Sequence, residues 1–386
     1  MPANFKQLET KLIHAGEPMP HIQGSVSIPI FQSATFEHTE DTDYHNIKYL
    51  RLSNTPNHLA LHQKLASLED GDAAIVTGSG MAAISTTLLA CLSVGDHLLA
   101  QDCLYGGTYG LLSQDFSELG LSFDFFDSSN PKSWKTMLRP NTKAIYVEAI
   151  TNPLMQVTDL EAVTDFAKKN GLISIIDNTF TSPVNFRPLK WGFDLSIHSA
   201  TKYLNGHSDI TAGAVIGSRS LIKKISNKLD HFGGILDPHA AFLLHRGIKT
   251  LVLRVKAQNQ SALQVAQFLQ AHPAISIVNY PGLKNHPNYQ LATHLFDGYG
   301  GMLSFELHSG IIGAKTFLEN LVLPIQAPSL GGVESLITRP AFTTHCGLSK
   351  EDRQRIGISE DLIRFSVGIE ATSDLIQDFE DALKGI

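Results

Sequence analysis

From about Asn57 to Arg246 short apolar runs alternate with helical patterns, and this alternation restricts the possible folds more than any other feature. The runs are AAIVT (73–77), HLLAQ (97–101), FDFF (123–126), AIYVE (144–148), LISII (172–176), DLSI (194–197) and AGAVIG (212–217). Helical spacing fills segments between them, such as 80–92, 105–119 and 159–169. The pattern predicts an α/β architecture with a mostly parallel sheet. Ligands of such sheets gather beyond the carboxyl ends of the strands. Ser79, Asp177 and Lys202 all lie at or just after such ends.

The flanking segments read differently. Residues 1–55 show little periodicity and are punctuated by Pro18, Pro20 and Pro29, which predicts an extended arm laid over another surface. Residues 56–246 form the expected large domain and 247–386 a smaller α+β domain. The second begins with a long helix over about 250–272 and then mixes ISIVNY, MLSFEL and LIRFSV with helices. Ser349 opens a capping-box-like S-x-x-D pattern, and Leu375, Ile376, Phe379 and Leu383 form the apolar stripe of a terminal helix over about 372–384. A chain of 386 residues with 43% hydrophobic and 17% charged residues suits two domains with a large core.

Composition also excludes partners. A formal charge of −7 gives no basic footprint for nucleic acid. The three cysteines (Cys91, Cys103, Cys346) have neither metal spacing nor the even number of a disulfide framework, and the 17 histidines lack zinc-like spacing. No signal-peptide core and no bilayer-length apolar stretch is visible, so a cytoplasmic protein without membrane contact or metal is expected.

The chemistry concentrates on a few residues. Lys202 sits in SATKYLNGHSD (199–209), and Asp177, 25 positions earlier (202 minus 177), closes the run LISIID. A strand-end amine near a strand-end carboxylate is what pyridoxal phosphate (PLP) requires. The amine forms a Schiff base with the aldehyde, and the acid keeps the pyridine nitrogen protonated. Taken singly, each residue also fits a solvated lysine and a strand-end acid. The turn GSGMAAI (78–84) opens a helix whose free N–H groups suit a phosphate. It also matches the dinucleotide pattern G-x-G-x-x-A, with Asp102 lying 22 positions past Gly80 (102 minus 80), and it fits a plain strand–helix turn. Tyr105 in LYGGTYG fits either a ring-stacking aromatic or a core residue. Arg364, inside the apolar LIRFSVGIE, needs a partner: a substrate carboxylate, or else Glu370 or Asp361.

Together these segments resemble the Cys/Met-metabolism family of PLP enzymes, which includes cystathionine γ-synthase, the cystathionine β- and γ-lyases and methionine γ-lyase. The resemblance runs from LIHAG (12–16) to VGIE (367–370) and is most specific in SATKYLNGHSD, SLGGVESL (329–336) and LIRFSVGIE. It implies PLP as cofactor and the aspartate-aminotransferase type of PLP fold. Lys202 is then the Schiff-base lysine and Asp177 the partner of the ring nitrogen. Tyr105 stacks on the ring, while Gly80, Met81, Ser199 and Thr201 hold the phosphate. Tyr49 and Arg51, in YLRLSNTPN (49–57), match residues lent to the neighbouring subunit's phosphate, which implies shared sites in a dimer-of-dimers tetramer. Asn152, Ser329 and Arg364 hold the carboxylate of an amino-acid substrate. The chain departs from the family pattern at Asn54-Thr55-Pro56, at Gly107 (cysteine in methionine γ-lyases) and at Pro328 (glutamate in many γ-acting members).

The implied activity is a transsulfuration carbon–sulfur lyase acting on cystathionine or a related thioether amino acid, by β- or γ-elimination. In it Lys202 shuttles the Cα proton and Tyr105 serves as acid or base near the sulfur. The alternative is γ-replacement on an activated homoserine, as in cystathionine γ-synthase. Two readings from other classes are an NAD-dependent oxidoreductase built on GSGMAAI and a non-catalytic PLP-binding protein.

Overall fold

In the computed structural model, which describes residues 5–39 and 47–386, seven of the apolar runs become one sheet. Its strands are β1 (Ala73–Thr77), β2 (His97–Gln101), β3 (Ser122–Phe126), β4 (Thr142–Glu148), β5 (Ile173–Asp177), β6 (Leu195–His198) and β7 (Gly213–Gly217). Their order is β1-β7-β6-β5-β4-β2-β3. The stretch from β3 to β6 is parallel throughout, and β7 runs antiparallel to both β6 and β1. The sheet is mostly parallel, as the alternation predicts.

Its strands read as unbroken apolar runs because both faces are covered. Val76, Leu99, Val147 and Ile176 pack on one side with Leu61 and Leu65 of the helix Pro56–Leu68. On the other side Ile75, Leu98, Tyr146, Ile175 and Val215 meet the helices Gly80–Cys91 and Arg219–Phe232.

A second sheet follows, of β8 (Ile275–Asn279), β9 (Met302–Leu307), β10 (Ile325–Gln326), β11 (Leu336–Thr338) and β12 (Ile363–Ser366). Its order is β10-β11-β12-β9-β8. Phe305, Phe365, Phe317 and Phe379 form the aromatic centre of its core. The helix Leu251–Ala271 belongs to both bodies: Leu251, Val252 and Val255 enter the first core, while Ala262, Val265 and Leu269 enter the second. Ser349 caps the helix Lys350–Arg355, its Oγ accepting the Asp352 N–H at 3.0 Å.

Two local expectations differ from the structure. The N-terminal segment contains a helix, Leu8–His14, which buries Leu12 against its own chain and whose Leu12 carbonyl accepts Lys64 Nζ at 2.8 Å. About two turns are too short to announce themselves by periodicity. Residues 1–4 and 40–46 of the expected arm lie outside the described residues. The helix expected over 105–119 begins as Gly106–Gly110 and continues through a widened turn at Leu111–Asp115, where the Phe116 N–H donates to Leu111 O at 3.2 Å.

Candidate active site

Beyond the carboxyl ends of β4, β5 and β6, a cavity of about 350 Å³ is lined by residues from both bodies. Its size suits a small-molecule site. Asp177 ends β5, and its Oδ1 accepts the Thr179 N–H at 2.9 Å. Glu148 ends β4 in register with Asp177. Two enclosed carboxyls side by side cannot both ionise cheaply. Burial, reinforced by Asp177, holds Glu148 well above the usual carboxylate range. Burial also raises Asp177, but the Thr179 donors and the nearby His198 oppose it.

Lys202 follows β6 in a tight turn, and its Nζ donates to Ser329 Oγ at 2.7 Å. Burial, with Arg364 as a second cause, lowers its ammonium to about 8. Ser329 is held at φ +96°, a left-handed conformation that a non-glycine residue adopts only under constraint. The constraint is visible: Arg364 Nη2 donates to Ser329 O at 3.0 Å, and Arg364 Nη1 donates to Asn152 Oδ1 at 3.1 Å. Arg364 is 2% exposed on β12, and its Nε has no partner although buried. Of the ion-pair partners considered for it, Glu370 is occupied elsewhere, accepting the Ser335 N–H at 2.7 Å and the Ser335 hydroxyl at 2.9 Å.

The helix Gly80–Cys91 starts at the cavity wall, and Ser79 caps it by accepting the Ala82 N–H at 3.0 Å. A Cβ on Gly80 would lie 2.8 Å from Ser199 Cβ and Oγ, so only glycine lets the helix start come this close to the Ser199 turn. Met81, Ser199 and Thr201 line the same cavity, and so does Tyr105, which precedes the helix Gly106–Gly110. Ten of the twelve expected site residues therefore share one cavity. Tyr49 and Arg51 do not line it: Arg51 Nη1 donates to Asp230 O at 2.8 Å, with its guanidinium 5.4 Å from the Tyr49 ring.

The dinucleotide reading of GSGMAAI fails on topology. Its fingerprint requires the first strand inside a parallel βαβ unit, whereas β1 is an edge strand paired only with antiparallel β7. The sequence reading also missed wall residues. Glu148, Thr179, Phe180, Thr344 and Leu330 face the cavity as well. Glu148 ends an expected strand just as Asp177 does, so the strand-end rule could have found it.

A model of the family described as Cys/Met metabolism PLP-dependent enzyme matches residues 9–384. The chain belongs to this family. Its relatives include a cystathionine γ-lyase of Bacillus subtilis (strain 168), 43% identical over 98% of this chain and 99% of the relative. A cystathionine β-lyase of Lactococcus lactis subsp. cremoris (strain MG1363) is 40% identical over 98% of this chain and 99% of its own. The crystal structure of cystathionine γ-lyase from Lactobacillus plantarum complexed with L-serine superposes with a TM-score of 0.94 at 38% identity, covering 99% of both chains. The fold is thus that of a PLP-dependent Cys/Met-metabolism enzyme, and PLP is the cofactor.

The cavity fits that cofactor. The glycine-opened helix start beside Ser199 and Thr201 is a cradle that a Cβ at position 80 would fill, and it offers free N–H groups to a phosphate. Asp177 offers a carboxyl at the end of β5, and Lys202 a lysine amine with a lowered pKa. The orphaned Nε of Arg364 leaves a donor for a carboxylate. Among the described residues no group of three or more His, Cys, Asp or Glu could hold a metal ion, and no helix is long and apolar enough to cross a membrane.

Proposed function

We propose that this PLP-dependent carbon–sulfur lyase of transsulfuration cleaves cystathionine, with Lys202, Tyr105 and Arg364 as its working residues. The observation that carries the reading is the joint enclosure of a lysine amine and an arginine clamp in one cavity. PLP, when bound, supplies an aldehyde for amines and an electron sink for charge developing at the substrate α-carbon. Gly80, Met81, Ser199 and Thr201 would hold its phosphate, Asp177 would pair with its ring nitrogen, and Tyr105 would stack on the ring. Arg364, steadied by Asn152 and Ser329, binds the substrate carboxylate and so fixes which Cα bond points toward Lys202. Lys202, with its amine drawn down to about 8, exchanges a proton at Cα near neutral pH. The Tyr105 hydroxyl holds or gives a proton at the sulfur.

Gly107 supports cystathionine over methionine. A side chain there would meet the Tyr105 ring at 2.6 Å and Met81 Sδ at 2.9 Å, so the cysteine of methionine γ-lyases would turn the ring away. The reading extends to assembly. By the family resemblance Tyr49 and Arg51, which do not line the cavity of their own chain, serve the phosphate of a neighbouring copy, in a dimer or a dimer of dimers. The proposed units are the arm 1–55, the PLP domain 56–246 and the C-terminal domain 247–386. Incubation with cystathionine, followed by identification of both products, tests the activity. Pyruvate with homocysteine marks β-elimination, and 2-oxobutyrate with cysteine marks γ-elimination. If neither pair forms while cysteine and an activated homoserine condense, the protein is a γ-synthase and the lyase reading fails.

A further inference from the structure

One enclosed titratable group in the cavity has no task in the reaction described above. Glu148 is 5% exposed, and its Oε1 accepts the Tyr105 N–H at 2.6 Å. That N–H belongs to the residue preceding the helix Gly106–Gly110, where main-chain donors lack helical partners. The Glu148 main chain is itself fixed from several sides. It lies in the β4–β5 ladder, its N–H donates to Gln101 Oε1 at 2.9 Å, and its carbonyl accepts Thr158 Oγ1 at 3.2 Å. Tyr105, by contrast, is 40% exposed at a loop–helix junction. The far side of that junction is equally tight, because a Cβ on Gly106 would lie 2.3 Å from Thr344 O.

We propose that Glu148 is a positioning residue: its carboxyl anchors the Tyr105 main chain to β4 and thereby fixes the aromatic wall that faces the PLP ring. The proposal rests on the reading that Tyr105 covers that ring. Burial, reinforced by Asp177, holds the carboxyl that makes this contact well above the usual carboxylate range.

The test compares Glu148→Gln, a neutral acceptor of equal length, with Glu148→Met, which keeps the volume without an oxygen. In the apoprotein, hydrogen–deuterium exchange over residues 102–112 should quicken about tenfold in the methionine variant and stay at the wild-type rate in the glutamine variant. In the holoenzyme the methionine variant should hold PLP about tenfold less tightly and show a raised KM with a smaller change in kcat. The glutamine variant should restore both. If methionine does not fold, Glu148→Asp, one methylene short of the Tyr105 N–H, takes its place. Wild-type exchange and PLP affinity in the methionine or aspartate variant would overturn the proposal, and so would a glutamine variant as damaged as methionine. Failure of the wild-type protein to bind PLP would sink the cofactor reading instead, while the exchange rates would still decide whether Glu148 anchors Tyr105.

Discussion

Lys202 is drawn down to about 8 because its surroundings disfavour the ammonium, and this has a measurable sign. Only the free amine attacks an aldehyde, so PLP should combine with the apoprotein faster as pH rises through about 8 and then level off. A rate still climbing toward the value of an ordinary lysine, about 10.4, would show that the site does not shift the amine. Lys202→Ala should keep the fold and bind PLP through the phosphate. It should lose the borohydride-fixed adduct seen by mass spectrometry and several orders of magnitude in turnover. Arg364→Lys should raise KM at a cost of about 2–5 kcal/mol, because a point charge cannot span both Asn152 and Ser329 O. Unchanged KM in a destabilised variant would make Arg364 a purely structural clamp. Lys202 and Asp177 were legible because Asp177 closes an apolar run and Lys202 follows shortly after one. Glu148 closes one too, yet only the β4–β5 pairing makes it a neighbour of Asp177, and strand adjacency is not written in spacing.

Among elements, the long-range pattern was legible and the short pieces were not. Strands buried on both faces announce themselves as apolar runs, so β1 to β7 lie within a residue or two of their expected bounds. The antiparallel placement of β7 between β1 and β6 rests on tertiary packing and leaves no local mark. The same holds for the helix Leu8–His14, whose anchor is a lysine 52 residues away in the chain. The helix Gly80–Cys91 offers a test of element and site together. Ser79→Ala removes the acceptor of the Ala82 N–H and should cost about 1 kcal/mol, read as a lower apoprotein Tm. Gly80→Ala, with its Cβ forced 2.8 Å from Ser199, should cut PLP retention more than it cuts Tm. Equal losses in both would make that glycine a packing residue and not part of a phosphate cradle.

At the scale of the whole molecule, subunit mixing tests the shared site. Chains carrying only Lys202→Ala, combined with chains carrying only Arg51→Ala, should regain activity toward half of wild type if Arg51 serves a neighbour. One site of each mixed pair then carries both lesions and the other carries none. No recovery, with mixed oligomers verified by mass spectrometry, would place Arg51 in service of its own chain. The helix Leu251–Ala271 sets a further condition on the assembly. Between the residues that enter the two cores, Gln258 Nε2 donates to Gly332 O at 2.8 Å and to Val367 O at 3.1 Å, tying the segments that follow Ser329 and Arg364 to the shared helix. Melting either sheet would strip one half of this helix of its packing, so calorimetry should record a single heat-absorption peak. In such a molecule the arginine clamp and the lysine floor cannot be loosened one at a time by warming, and catalysis should fail at the temperature where the chain itself lets go.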